Sequence, residues 1–305
     1  MRIRSIGAAV FLAGGLVFAQ DSPPAAPSAA AEAPAEGAPA ALKSARPWLA
    51  PEGTLVVNLP SDQTIGRGLL QFLVTHRFRG VVRGSNGHSL YSIDSGAVFG
   101  FGLAYSPIDR TEVSLYRSAT QDDWELAAKY AFVPAGKAFG AAIRAGGDDR
   151  RAPVVVTPSG GQLDDSRART SFFAQAILSV HLANNRVEIS AVPTYSARTT
   201  AERRAFNVPL HAAAALGRSW NLQGEYQFQR KSVPDSIDIW AIGVEKTLYR
   251  HRFSLVVSNS TTTTVDQSLS GDASVSFKRQ RRTFENGFRN NDWHIGFNLV
   301  RLFKP

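Results

Sequence analysis

The sequence predicts an all-β fold, a single antiparallel up-and-down transmembrane β-barrel of about twelve strands. Three observations carry the prediction. Apolar and polar residues alternate with a period of two over most of the chain, which is the period of a strand. The connections between the alternating stretches are long or short according to their parity. Aromatic residues fall at both ends of the alternating stretches, on the apolar face. The closing stretch shows the pattern best: Trp293, Ile295, Phe297, Leu299 and Phe303 share one face, and Asp292, His294, Gly296 and Asn298 the other.

In chain order, residues 1–19 read as a signal peptide. Arg2 and Arg4 precede an apolar run from Ile6 to Phe18, and Val17, Phe18 and Ala19 offer a small-residue cleavage site. Residues 20–52 are Ala/Pro-rich and cannot bury a core, so they are expected to form a disordered periplasmic linker. Residues 53–305 are assigned to the barrel. Within the lead-in stretch up to Gly66, Leu55, Val56 and Val57 are expected to form a short strand ended by Pro60.

Twelve strands follow, at 68–78, 96–106, 109–118, 122–132, 137–146, 169–182, 185–196, 205–215, 219–229, 236–248, 251–259 and 292–303. In the ninth, Trp220, Leu222, Tyr226 and Phe228 oppose Asn221, Gln223, Glu225, Gln227 and Gln229. A soluble sandwich with an apolar core and a barrel with a lipid-facing exterior both show this alternation. The connections separate them. Numbered from one, all the even connections are tight and all the long ones are odd. Short periplasmic turns alternating with longer outer loops produce that parity, and Greek-key crossings have no reason to keep it. With odd strands running outward, Trp124, Trp240, Trp293 and Tyr195 fall at the outer rim and Tyr105, Tyr130, Phe132, Trp220 and Phe303 at the inner rim. Two aromatic girdles suit a bilayer. Residues 261–264 read as the outer end of strand eleven continuing past the bilayer.

Composition bounds the function. The 305 residues include no cysteine, which removes disulfides and thiolate chemistry. The formal charge is +9, and +7 without Arg2 and Arg4. On a secreted chain this favours anionic lipid headgroups over nucleic acid as partner. The slightly negative mean hydropathy is compatible with a barrel, which shows lipid only every second residue.

Several local motifs carry a resemblance. Asn58–Leu59–Pro60–Ser61–Asp62 leads into Thr75–His76–Arg77–Phe78. Then come Ile93–Asp94–Ser95–Gly96–Ala97, Asp109–Arg110–Thr111–Glu112–Val113, Glu125–Leu126–Ala127–Ala128–Lys129–Tyr130 and the closing Gly296–Phe297–Asn298–Leu299. From about Asn58 to Phe303 the chain resembles the bacterial β-barrel family known as domain of unknown function 5777. The resemblance implies a β-barrel and carries over no catalytic residue.

The lumen-lining candidates are Glu112, Asp123, Glu125, Lys129, Arg144, Glu188, Gln223, Glu225, Gln227 and Glu245. Opposite charges on neighbouring strands are expected to form ion-pair ladders, with a selective pore as the alternative use. Lys278, Arg279, Arg281 and Arg282 are candidates for lipopolysaccharide phosphates or for an anion-attracting lid. His76, His181 and His294 have no metal-ligand spacing along the chain. No Gly-X-Ser-X-Gly occurs, and Ser179 and His181 sit two apart on one strand. No catalytic, cofactor or metal site is expected. The expected function is a monomeric outer-membrane, porin-like pore for small polar or anionic solutes, or the barrel subunit of an envelope complex. The alternatives are a non-conducting docking barrel with a filled lumen and an outer-membrane lipid or peptide hydrolase. Expected partners are membrane lipid, lipopolysaccharide, the barrel-assembly machinery and a periplasmic protein, with no nucleic acid.

Overall fold

In a computed structural model, residues 53–82, 85–150, 154–156, 162–164, 170–199, 204–228, 238–269 and 293–304 are described. Twelve antiparallel strands close on themselves. They are β1 (Leu70–Phe78), β2 (Ala97–Tyr105), β3 (Thr111–Ser118), β4 (Asp123–Ala131), β5 (Phe139–Arg150) and β6 (Thr170–Leu182), then β7 (Val187–Ala191 and Thr194–Ser196) and β8 (Ala205–Asn207 and Leu210–Ala215), and finally β9 (Trp220–Gln227), β10 (Ile239–Leu248), β11 (His251–Ser258) and β12 (His294–Phe303). Each pairs with its neighbours in sequence, and the seam pairs β1 with β12, from Leu70 opposite Phe303 to Arg77 opposite Gly296. A wall closed in this way leaves no unpaired sheet edge, which hydrocarbon would not tolerate.

Burial follows the alternation. On β4, Leu126, Tyr130 and Trp124 point outward and stay exposed, while Asp123, Glu125 and Lys129 point inward and are buried. The outward face carries Phe99, Phe101, Leu103, Leu115, Ile242 and Leu255, all exposed. His76 also lies outward, its ring 4.4 Å from Phe99 and stacked at 4.7 Å on Phe297. The last strand keeps its expected faces, and Arg301 turns outward over the Phe303 ring.

Among the described residues, four features of the wall and lumen differ from the sequence reading. Strands β7 and β8 are each broken, at Pro193 and Pro209. Proline has no N–H to give the ladder, although both carbonyls still accept, from Ala176 and Val192. Strand β5 runs on to Arg150, which brings Asp148 and Arg150 from an expected loop into the wall. Residues 261–264 do not extend β11 outward. They turn into the barrel, bury Thr261, Thr262 and Thr264, and lead into α1 (Val265–Leu269). The fourth difference is the lead-in stretch. Residues 53–66 form a small loop closed by a Leu55–Pro60 bridge and by the Ser61 N–H on Thr54 O, and the loop sits inside the barrel. Val56 and Val57 pack on Ala241 and Val256, and Leu55 packs on Leu73, Tyr116 and Val300. Burying an apolar side chain contributes roughly 1.5–3 kcal/mol. These inward apolar residues, out of keeping with a water-filled channel, therefore form the seat of a plug.

Leu126 lies mid-strand on the outward face opposite Leu115. Replacing it with arginine should cost roughly 2–4 kcal/mol in a bilayer. Equilibrium folding into lipid vesicles would measure that loss, and the inward Glu125→Gln control should not show the same dependence on bilayer thickness.

Candidate functional site

The candidate site is the lumen. It is built from the inward register of the wall, the plug (residues 53–66) and the inward segment 259–269. All ten lumen-lining candidates point into it. The plug is held mainly through its backbone. Glu225 accepts the N–H groups of Asn58 (2.9 Å) and Leu59 (3.1 Å) and the side-chain amide of Asn58 (2.6 Å). Glu112 accepts the Ile65 N–H at 3.1 Å. Lys129 reaches the carbonyls of Thr54 and Ser61 and lies 3.5 Å from Glu112, its direct cross-strand neighbour. Such charge-assisted bonds are the stronger kind, and here they satisfy backbone groups that no strand pairs.

Arg77 joins the plug to the seam. Fully buried, it donates to Asn298 Oδ1 at 2.8 Å, to Phe297 O at 3.1 Å and to Asn58 Oδ1 at 2.9 Å. Asn298 in turn donates to Val57 O at 2.9 Å.

The inward segment is tied to β3–β5. Glu125 accepts the Val265 N–H at 2.9 Å and forms an ion pair with Arg144. Arg144 also donates to Gln175 Oε1 at 2.9 Å. Asp123 accepts from Gln267 at 3.0 Å, and Thr264 Oγ1 lies 2.8 Å from it. Arg150 Nε meets Asp266 Oδ2 at 2.5 Å, both side chains fully buried. Glu245 accepts from Ser254 at 3.1 Å and lies 3.8 Å from Arg252. Gln223 and Gln227 are buried in the same lining. Between plug and segment a cavity remains, lined by Glu112, Lys129, Arg144, Gln175 and Gln227 among others.

Glu188 belongs to a different group. It lies against His181 and His211, with Asp62 of the plug close by. Ser179 does not combine with His181: its hydroxyl meets Ser190 at 2.7 Å, while His181 bonds Asp62. His294 sits against the carbonyls of Phe78 and Gly80. Lys278, Arg279, Arg281 and Arg282 lie outside the described residues.

The sequence reading gave no site role to Asn58, Asp62, Arg77, Arg150, His211, Asp266 or Asn298, although Asn58, Asp62, Arg77 and Asn298 lie in the motifs that carry the family resemblance. One signal was available. The inward registers of β1, β3, β11 and β12 contain Leu73, Tyr116, Val256 and Val300, and apolar residues on a supposedly wet face call for a covering segment.

A closed antiparallel wall with an apolar exterior and a polar, occupied interior defines a membrane β-barrel. The chain belongs to the family described as "Membrane bound beta barrel domain (DUF5777)", whose pattern matches residues 52–303. Among curated proteins, none matches it in sequence. Among solved structures it is similar to the NanC porin, at 7% identity and a TM-score of 0.45 over 77% of this chain and 99% of that one. It is also similar to an outer-membrane channel from Pseudomonas putida F1, at 12% identity and 0.44 over 79% and 97%. A third is outer membrane phospholipase A from Escherichia coli, at 12% and 0.41 over 76% and 92%.

Glu225→Gln keeps the shape but removes the charge that holds two plug amides. A buried hydrogen-bond partner lost in this way costs roughly 1–3 kcal/mol. Amide exchange of residues 56–62 should accelerate by about tenfold or more, with the barrel's own exchange unchanged.

Proposed function

We propose that the protein is an outer-membrane barrel, brought there by its N-terminal signal peptide, and closed at rest by its own chain. The observation that carries this reading is the pair of plug amides, Asn58 and Leu59, delivered onto the buried Glu225 carboxylate. A lumen organised for water would leave that carboxylate solvated. Here the acceptors of the wall match the donors of the plug. The inward segment closes the lumen a second time through Glu125 and Asp123. The protein is thus a plugged barrel, with membrane lipid and lipopolysaccharide around it and the plug's N-terminal side facing a periplasmic partner. The reading assigns no hydrolytic step, because Ser179 and His181 are engaged with different groups.

A second reading, passage of small polar or anionic solutes, is favoured by the cavity beside Lys129 and Arg144. Plug and segment are held by side-chain bonds and small apolar contacts rather than as wall strands. Displacing them would join this cavity to both mouths.

Planar-bilayer recording tests both readings. The intact protein should be electrically silent, and removal of residues 54–65 should produce discrete conductance steps. Sustained open channels from the intact protein would refute the plugged state. Silence from a deletion variant that still shows the heat-modifiable migration of a folded barrel would refute the solute-passage reading.

A further inference from the structure

Near the short-turn rim, two histidines face one carboxylate. His181 on β6 and Glu188 on β7 are direct cross-strand partners, and His211 follows on β8. His181 Nδ1 lies 3.7 Å from Glu188 Oε2, and His211 Nδ1 lies 3.8 Å from Glu188 Oε1. Neither contact is a hydrogen bond. Both Nδ1 atoms and Glu188 Oε2 are buried without a hydrogen-bond partner. Glu188 Oε1 lies 3.0 Å from the Ser190 hydroxyl.

The other ring nitrogens show why this matters. His211 Nε2 is 3.2 Å from the carbonyl of Pro60. A carbonyl only accepts, so the ring proton sits on Nε2. His181 Nε2 is 2.9 Å from Asp62 Oδ2, and an ionised carboxylate likewise takes the proton of Nε2. In the neutral rings each Nδ1 then carries a lone pair, and both face the Glu188 carboxyl group. Lone pairs facing a buried carboxyl group are repelled by it unless a proton or a metal cation lies between them. Histidines that bind metals through one nitrogen characteristically give the other N–H to a carboxylate or a backbone carbonyl, which fixes tautomer and ring orientation. Both kinds of partner are present here, and both come from the plug.

We propose that His181 Nδ1, His211 Nδ1 and the Glu188 carboxylate form a binding site for a first-row transition-metal dication, with Asp62 and Pro60 of the plug as its outer support. Imidazole and carboxylate donors suit zinc and its neighbours rather than calcium or magnesium. Bonds of about 2.0–2.2 Å set neighbouring donors roughly 3.3 Å apart in a tetrahedral site, so each histidine–carboxylate separation has to close by about half an ångström and the two rings have to converge on one carboxylate oxygen. The donor atoms of Asp62, His181 and Glu188 already lie within 4.8 Å of one another, and His211 is the donor outside that group that has to move in. Gly140 makes room for the group, since a Cβ there would stand 1.4 Å from Asp62 Oδ2 and 3.0 Å from His181 Nε2. A cavity lined by Asp62, Gln63, Arg110 and Pro134 lies at the short-turn rim beside the outer support. Binding at this site would couple the plug to the wall, because the plug supplies the acceptors that hold both rings.

The test uses full-length protein refolded in detergent, with Zn2+ and Co2+ as probes. Equilibrium dialysis with elemental analysis should find about one tightly held Zn2+ per chain, and Co2+ should give visible absorption bands of a nitrogen–oxygen site. Glu188→Gln and His211→Gln should each weaken Zn2+ by about 100-fold or more, and Asp62→Asn, in the outer support, by about 10–100-fold. Zn2+ should slow amide exchange of residues 56–62 in the intact protein but not in Glu188→Gln. Heat-modifiable migration on gels identifies variants that fold. The proposal is overturned if the intact protein retains no Zn2+ at micromolar free metal, or if folded Glu188→Gln and His211→Gln bind it as the intact chain does. Neither readout depends on conductance, so the proposal and the plugged-barrel reading fail separately.

Discussion

Carboxylates placed inside a closed wall must find donors, and most of this barrel's interior follows from how they do so. Glu112, Glu125 and Glu225 each accept a backbone N–H from a segment that is not part of the wall. The barrel thereby orders two stretches that have no ladder of their own, and those stretches shield the carboxylates from water. Neither side of the arrangement is stable alone. A buried charge without a partner costs several kcal/mol, and an unpaired buried amide costs a comparable share of a hydrogen bond.

The apolar contacts act in the same direction through different physics. Val56 and Val57 find Ala241 and Val256, and Leu55 finds a patch that includes Tyr116. Apolar burial is non-directional and sets where the plug rests. The hydrogen bonds are directional and set its register. Lys129 belongs to both the wall and the plug, pairing with Glu112 while donating to Thr54 and Ser61. A cross-strand ion pair of an ordinary sheet has here become part of a packing surface.

The wall was legible in the sequence because its rule is local. Each strand declares its two faces by alternation, and β4 and β9 could be read residue by residue. The breaks at Pro193 and Pro209 were legible in principle, since proline marks a gap in any ladder, but the alternation on either side masked them. The occupied lumen was legible only indirectly, through Leu73, Tyr116, Val256 and Val300 on the inward registers. Polar inward residues look the same whether water or peptide meets them, and the plug's partners are distant in sequence: Asn58 meets Glu225, and Val57 meets Asn298. The histidine group was hidden for the same reason. His181, Glu188 and His211 have no recognisable spacing along the chain, because three adjacent strands and their turns set their separation rather than one helix or loop.

The seam gives the plug a consequence for the order of assembly. Arg77 stands on the first strand and Asn298 on the last, and each binds both the other and the plug. One part of the plug's seat is therefore divided between the two ends of the wall and is complete only when they meet. In an unsealed sheet the Arg77 partner of Asn58 and the Asn298 partner of Val57 stand on separate ends, and sealing brings them together. Occupancy of the lumen thus acts as a latch on the finished cylinder, holding shut the one junction whose strands are far apart along the chain.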